Sequence, residues 1–244
     1  CSPVRRTAPA RSFCEWPGGI PSMNSMKKMK DDVMLVLDCS LRLTGAAVAR
    51  CGEVLSQESE DLGRRQAAEL PLMAERVLAA AGMTFADIDL MAVTSGPGYF
   101  TSIRVGVAYA AALAYGLGVR IVPVSSLEML ASSHPAFSEG EVLAVVYAGR
   151  GFVYAASFGS GSDALPVGEY GGEPLGAWMK GRSGAAAVSD DPGRAAEAAG
   201  LTFPIIPIRP DVAKAAELAW DRRALAVSPL ELRAVYCRAP QGTV

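Results

Sequence analysis

The chain has 244 residues, half of them hydrophobic and a fifth charged, with a formal net charge of −2. That balance suits a soluble globular protein of one large or two small domains, and it supplies no basic field strong enough to hold nucleic acid directly. The five cysteines, Cys1, Cys14, Cys39, Cys51 and Cys237, are odd in number and never spaced C-x-x-C, which argues against a disulfide framework or thiolate metal site and suits a reducing cytoplasm. The apolar runs are interrupted before the roughly 18 to 20 residues of a membrane span, so no span is predicted.

Residues 1–32 mix Pro, Gly, Ser and charge without periodicity and are expected to be a disordered extension, with Met23, Met26, Met29 and Met34 as alternative starts. From Val33 the pattern becomes regular. "VMLVLDCS" reads as a strand ending at Asp38, "LTGAAVARC" returns, and "EVLSQES" follows the Cys51-Gly52 turn. Leu70, Met73, Ala74, Val77, Leu78 and Ala81 then recur at helical spacing and predict an amphipathic helix ending at Gly82. Pro71 fits its first turn; a start near Ala67 would put the proline inside and kink the helix.

Next come a buried strand "LMAVTSG", the run "TSGPGYFTSIRVG", a helix over 102–116, the strand "VRIVPVSS" and a short helix over 126–132. Three strands followed by alternating helices and strands imply an α/β sheet with parallel crossovers. "EVLAVVYAGRGFVYAASF" reads as two strands around a Gly149-Arg150-Gly151 turn and opens a second half. Residues 159–210 give weak signals, and a helix over 211–220 leads to "SPLELRAVYCRAP". No internal repeat is visible, though both halves begin with a hairpin.

Gly96 and Gly98 flank Pro97 at a strand end, where the chain must turn sharply. Thr101 is the expected N-cap of the following helix, with Phe100 and Val105 as a hydrophobic staple. A helix start can hold an anion. This one lacks the G-K-[ST] of a P-loop and the G-x-G-x-x-G of a dinucleotide site, and Tyr99 and Phe100 would crowd a phosphate. Ser102, Gly106, Ala110 and Ala114 form a stripe of small residues that admits a close neighbour, from this chain or from a partner.

The strand "MLVLDCS", the run "SGPGYFTSIRVG" before an alanine-rich helix, and the closing "PLELRAVYCRAP" together resemble the TsaB (YeaZ) family over roughly residues 34–240. The resemblance implies an α/β actin-like ATPase fold (ASKHA, ribonuclease H-like) of two lobes, over 33–132 and 133–244, with the C-terminal segment returning to the first lobe. It implies a cytoplasmic, non-catalytic subunit that binds and activates a TsaD-type transferase in forming threonylcarbamoyladenosine at position 37 of tRNA. Implied partners are that transferase and a TsaE-type ATPase, with a homodimer in their absence, tRNA met only indirectly and no membrane. No cofactor of its own is implied, while ATP or ADP is allowed at the complex interface.

By position, the partner-binding residues implied are Leu70, Met73 and Val77 on one helix and Ser102, Gly106, Ala110 and Ala114 on the next, beside the motif Gly96, Pro97, Gly98, Phe100, Thr101 and Arg104. The sequence departs from the family pattern at Tyr99, where serine is common, at Ser102, where glycine is common, and at Tyr147-Ala148-Gly149-Arg150, where an Asp-Ala-Arg run is usual.

The transferase relative holds its metal with paired histidines, and His134 is this chain's single histidine, which rules out that site and an H-E-x-x-H site alike. His134 beside Pro135 is expected in a turn. A stand-alone kinase or ATPase is the alternative reading, with Asp38, Ser40 and Arg104 as phosphate contacts. It calls for a D-x-G turn, whereas this chain has Asp38-Cys39-Ser40. Asp38 is instead expected to cap its own turn, and Cys39 and Cys237 to be buried or half-buried thiols.

Overall fold

The computed structural model describes residues 33–138, 140–149, 151–159, 164–182 and 184–237. The extension expected over 1–32 and Arg150 of the hairpin turn lie outside the described residues. The first sheet holds β1 (Val33–Asp38), β2 (Thr44–Arg50), β3 (Glu53–Glu60), β4 (Leu90–Gly96) and β5 (Arg120–Ser125), in the order β3-β2-β1-β4-β5. β2 pairs antiparallel with β1 and β3, while β4 runs parallel to β1 and β5. The three-strand meander and both crossovers are as the sequence pattern predicts.

The second sheet holds β6 (Val142–Gly149), β7 (Phe152–Phe158), β8 (Gly168–Tyr170), β9 (Ala186–Ser189) and β10 (Ile206–Pro207), in the order β10-β9-β6-β7-β8. Its first three strands are an antiparallel meander, and β9 runs parallel to β6 and β10. The two sheets therefore share one topology: β6, β7, β8, β9 and β10 repeat β1, β2, β3, β4 and β5. This is a two-lobed α/β fold of the actin-like type. The repeat is invisible as a sequence repeat because β8 has three residues and β10 two, too few to show a period.

Helices are α1 (Gln66–Ala80), α2 (Phe100–Leu117), α3 (Ser126–Ser132), α4 (Gly172–Lys180), α5 (Pro192–Ala199) and α6 (Val212–Asp221). Strand alternation sends each sheet into two cores. Leu35, Leu37, Ala46 and Val48 meet α1 and α2 on one face of the first sheet, and Leu143 and Val145 meet α4 and α5 on one face of the second. Met34, Val36 and Ala47 point the other way, as do Val142, Ala144 and Val146, and these enter a single core with Leu127 and Leu130 of α3 and Val212, Ala215 and Ala219 of α6. One core therefore serves both lobes, and Arg222 at the end of α6 grips Glu128 of α3, with Nη1 to Oε2 at 2.6 Å.

Three local expectations need correction. α1 begins at Gln66, so Pro71 lies inside it and cannot donate to the Ala67 carbonyl; burial of Gln66, whose amide donates to Thr44 Oγ1 at 2.9 Å, fixes that earlier start. α2 begins at Phe100 with Tyr99 as N-cap, so Thr101 is an exposed first-turn residue rather than the cap, and the Phe100–Val105 staple has no cap between its members. α2 is also long and apolar enough to cross a membrane by length and composition, yet Ile103, Gly106, Ala110 and Ala114 seat it on the first sheet as a layer of the fold.

Candidate functional site

The carboxyl ends of parallel strands are where open α/β sheets receive ligands. Here Asp38 ends β1, Gly96 ends β4 and Ser189 ends β9. Asp38 is buried, and its Oδ1 accepts three hydrogen bonds: Ser40 N–H at 2.9 Å, Ser40 Oγ at 2.7 Å and Thr94 Oγ1 at 2.5 Å. It caps its own turn, as the sequence indicated. Burial pushes its carboxyl above the ordinary range of 3.8, against the opposing pull of those bonds.

The glycine motif closes over that turn. Tyr99 N–H donates to the Ser40 carbonyl at 2.9 Å, and a Cβ on Gly98 would run into the same Ser40 carbonyl. Gly96 has φ of 113°, a region that favours glycine, and a Cβ there would stand 2.6 Å from the Val235 carbonyl. Gly96, Pro97 and Gly98 are all buried. Ser40 is fully buried beneath them, so it presents no hydroxyl to a ligand. The residues present do not fit a metal-bound phosphate at Asp38: one carboxylate oxygen is saturated, and backbone fills the cradle.

Arg104, the other expected phosphate contact, is engaged with the C-terminal segment. Its guanidinium stacks 3.9 Å from the Phe100 ring centre, and Nε donates to Tyr236 Oη at 3.2 Å. Tyr236 packs on Phe100 with centroids 5.1 Å apart, and Val235 N–H donates to the Ser95 carbonyl at 2.7 Å. With Leu232 buried in the first-lobe core, the segment after α6 lies along the first lobe.

The second lobe brings residues to the same place that sequence reasoning missed. Asp190, at the β9–α5 turn, accepts Arg42 N–H at 3.0 Å, and its Oδ1 is buried without a hydrogen-bond partner among the described residues. Burial pushes its carboxyl up, with Asp191 and Asp38 adding to the rise. Arg194, on the first turn of α5, lies 3.9 Å from the Tyr147 ring centre and 5.8 Å from that of Tyr99. Burial, with Asp190 nearby, pushes the Tyr99 phenol up to about 12. Short elements on the weakly patterned segment after 159 carry these residues; the one local signal is Asp191-Pro192, an N-cap followed by a first-turn proline.

The helix residues implied as partner contacts lie mostly inside this chain. Leu70, Met73, Val77, Gly106, Ala110 and Ala114 are buried, and Ser102 is half-buried. A Cβ on Gly106 would come within 3.1 Å of Cys39 Cβ, so the small-residue stripe admits the chain's own β1–β2 turn. The outward faces differ. Ala68, Leu72 and Ala79 on α1 and Ala108, Ala112 and Tyr115 on α2 are exposed, Leu72 by 47% and Tyr115 by 69%. Arg104 is the sole charge along all of α2.

Other residues take structural places. His134 is half-buried in a turn, where its Nδ1 accepts Ala136 N–H at 3.1 Å. Cys39 is buried and its thiol is pushed up by burial and then by Asp38; Cys237 is half-buried and pushed up by burial.

Residues 55–166, which contain α1, β4 and α2, match the family model described as TsaD, tRNA N6-adenosine threonylcarbamoyltransferase. The TsaB tRNA threonylcarbamoyladenosine biosynthesis protein of Buchnera aphidicola (Acyrthosiphon pisum) is 24% identical over 140 residues, covering 57% of this chain and 63% of that one. The Haemophilus influenzae TsaB is 30% identical over 127 residues, covering 52% and 53%. The matched stretch thus spans less than two thirds of either relative. The solved YeaZ of Pseudomonas aeruginosa superposes with a TM-score of 0.65 at 21% identity, over 84% of this chain and 99% of that one, and shows the same fold. With the S-G-P-G motif closed over the Asp38 turn, two relatives bearing the TsaB name over about half of the chain and the YeaZ fold along most of its length, the chain is similar to the TsaB (YeaZ) family and shares its fold.

Proposed function

We propose that this chain is a cytoplasmic, non-catalytic subunit that binds a TsaD-type threonylcarbamoyltransferase and activates it in forming threonylcarbamoyladenosine at position 37 of tRNA. The observation that carries the reading is the outward face of α1 and α2. A helix of 18 residues with one charge would ordinarily be covered on most sides; here Ala108, Ala112 and Tyr115 stand exposed, as do Leu72 and Ala79 on the neighbouring helix α1. Small residues flanked by larger apolar ones let another helix pair approach closely. A stable interface of this kind would bury about 1,600 Å² in total.

The closed Asp38 turn supports placing the chemistry on the partner, and any ATP or ADP at the shared interface rather than at Asp38. The relatives named TsaB support the pathway. The test is threonylcarbamoyladenosine formation by the transferase with threonylcarbamoyl-adenylate, ATP and tRNA, with and without this chain. Dependence on the chain, and no product from the chain alone, is the expected result. Full modification without it, or metal-dependent ATP turnover by the pure chain that Asp38→Ala abolishes, would overturn the reading.

A further inference from the structure

The two lobes share one core at α3 and α6, while at the carboxyl ends of β1, β4 and β9 they meet through a few polar and aromatic groups. Arg194 is held in a fixed place there. Asp191 Oδ1 accepts Arg194 N–H at 3.2 Å as the N-cap of α5, and Pro192 sets the first helical position. From that anchor the guanidinium lies on Tyr147 of its own lobe at 3.9 Å and reaches Tyr99 of the other lobe, 5.8 Å from its ring centre. Four residues before Arg194, Asp190 accepts Arg42 N–H of the first lobe. Tyr99 is tied in turn to Ser40 through its N–H.

We propose that Arg194 is the bolt of a latch between the lobes, stacked on Tyr147 and engaged with Tyr99, which together with the Asp190 to Arg42 bond holds the lobes together at the carboxyl ends of β1, β4 and β9. The planar guanidinium suits this role, because it can face an aromatic ring and still hydrogen-bond at its edge. Since Tyr99 is the N-cap of α2, the bolt also fixes the start of the helix that bears the exposed apolar face. The latch is a property of this chain alone and does not rest on the partner proposed above.

Amide hydrogen exchange on the full chain tests it, with the Arg42 amide as the reporter of the contact between the lobes and the Val36 and Val145 amides as reporters of the two sheets. Arg194→Ala and Tyr99→Ser are each expected to speed exchange at Arg42 about tenfold, the scale of one lost cation–π contact, while Val36 and Val145 stay unchanged. Arg194→Lys keeps the charge beside Asp190 and Asp191 but loses the planar face, and is expected to behave like Arg194→Ala. Unchanged exchange at Arg42 in both Arg194→Ala and Tyr99→Ser would overturn the latch. So would a rise at Val36 and Val145 equal to that at Arg42, or full protection in Arg194→Lys.

Discussion

The Ser40 carbonyl takes the backbone N–H of Tyr99 at 2.9 Å and lies directly against Gly98. The two loops that would have to part around a phosphate, after β1 and after β4, are thereby joined by main chain. Gly98→Ala would place a Cβ against that carbonyl, which cannot swing aside as a side-chain end can. We expect it to lower stability by about 1–3 kcal/mol. A urea midpoint equal to that of the parent chain would refute this closure.

Thr101 and Asp211 make a matched pair of tests. Thr101 sits exposed past the helix start and makes no cap, so Thr101→Ala is expected to shift stability by less than about 0.5 kcal/mol. Asp211 does cap α6, its Oδ1 accepting Ala213 N–H at 3.0 Å, so Asp211→Ala should cost about 1 kcal/mol. Denaturant unfolding of the two variants side by side reads the difference, and a larger loss in Thr101→Ala would restore it as the cap.

Asp38 sets the direction of a pH effect. Its folded carboxyl is raised above the unfolded value near 3.8, chiefly by burial, so the native state holds this proton more tightly than the unfolded chain does. Its contribution to stability is therefore greatest at low pH and falls as pH rises from the unfolded value through the folded one. Asp38→Asn removes that titration. The variant's urea midpoint should rise relative to that of the parent chain as pH is raised from about 4; a difference that is constant with pH, or a variant that falls further below the parent as pH rises, would show the opposite.

Gly106 and Ala112 separate the inner face of α2 from its outer one. Gly106 abuts Cys39, so Gly106→Leu is expected to destabilise the fold by about 1–3 kcal/mol whether or not a partner is present. Ala112 is exposed, so Ala112→Arg should leave unfolding unchanged and weaken binding to the transferase at least about tenfold, a cost typical of a disturbed interface centre. Titration calorimetry with the transferase, beside thermal unfolding of each variant, distinguishes the two. Undiminished binding by Ala112→Arg would move the interface elsewhere.

Much of the first lobe could be read from residue order alone. Six consecutive apolar or turn-ending residues in Val33–Asp38, the helical spacing from Leu70 to Leu78 and the S-G-P-G run each encode their element locally, because periodicity and backbone restriction act over a few residues. The Asp38 cap was legible for the same reason: donor and acceptor at Ser40 lie two residues apart. The stripe Gly106, Ala110 and Ala114 was equally plain as a pattern, but a pattern does not say which neighbour it meets, and only the packed fold sets it on this chain's own Cys39 and first sheet. The start of α1 at Gln66 and the N-cap at Tyr99 were likewise decided by distant partners, Thr44 in one case and Ser40 in the other. The repeated sheet topology and the meeting of Asp190, Arg194 and Tyr147 with Arg42 and Tyr99 lay beyond the sequence. They join residues about 50 to 150 positions apart, through strands as short as two residues, and burial in a shared core rather than local propensity brings such segments together.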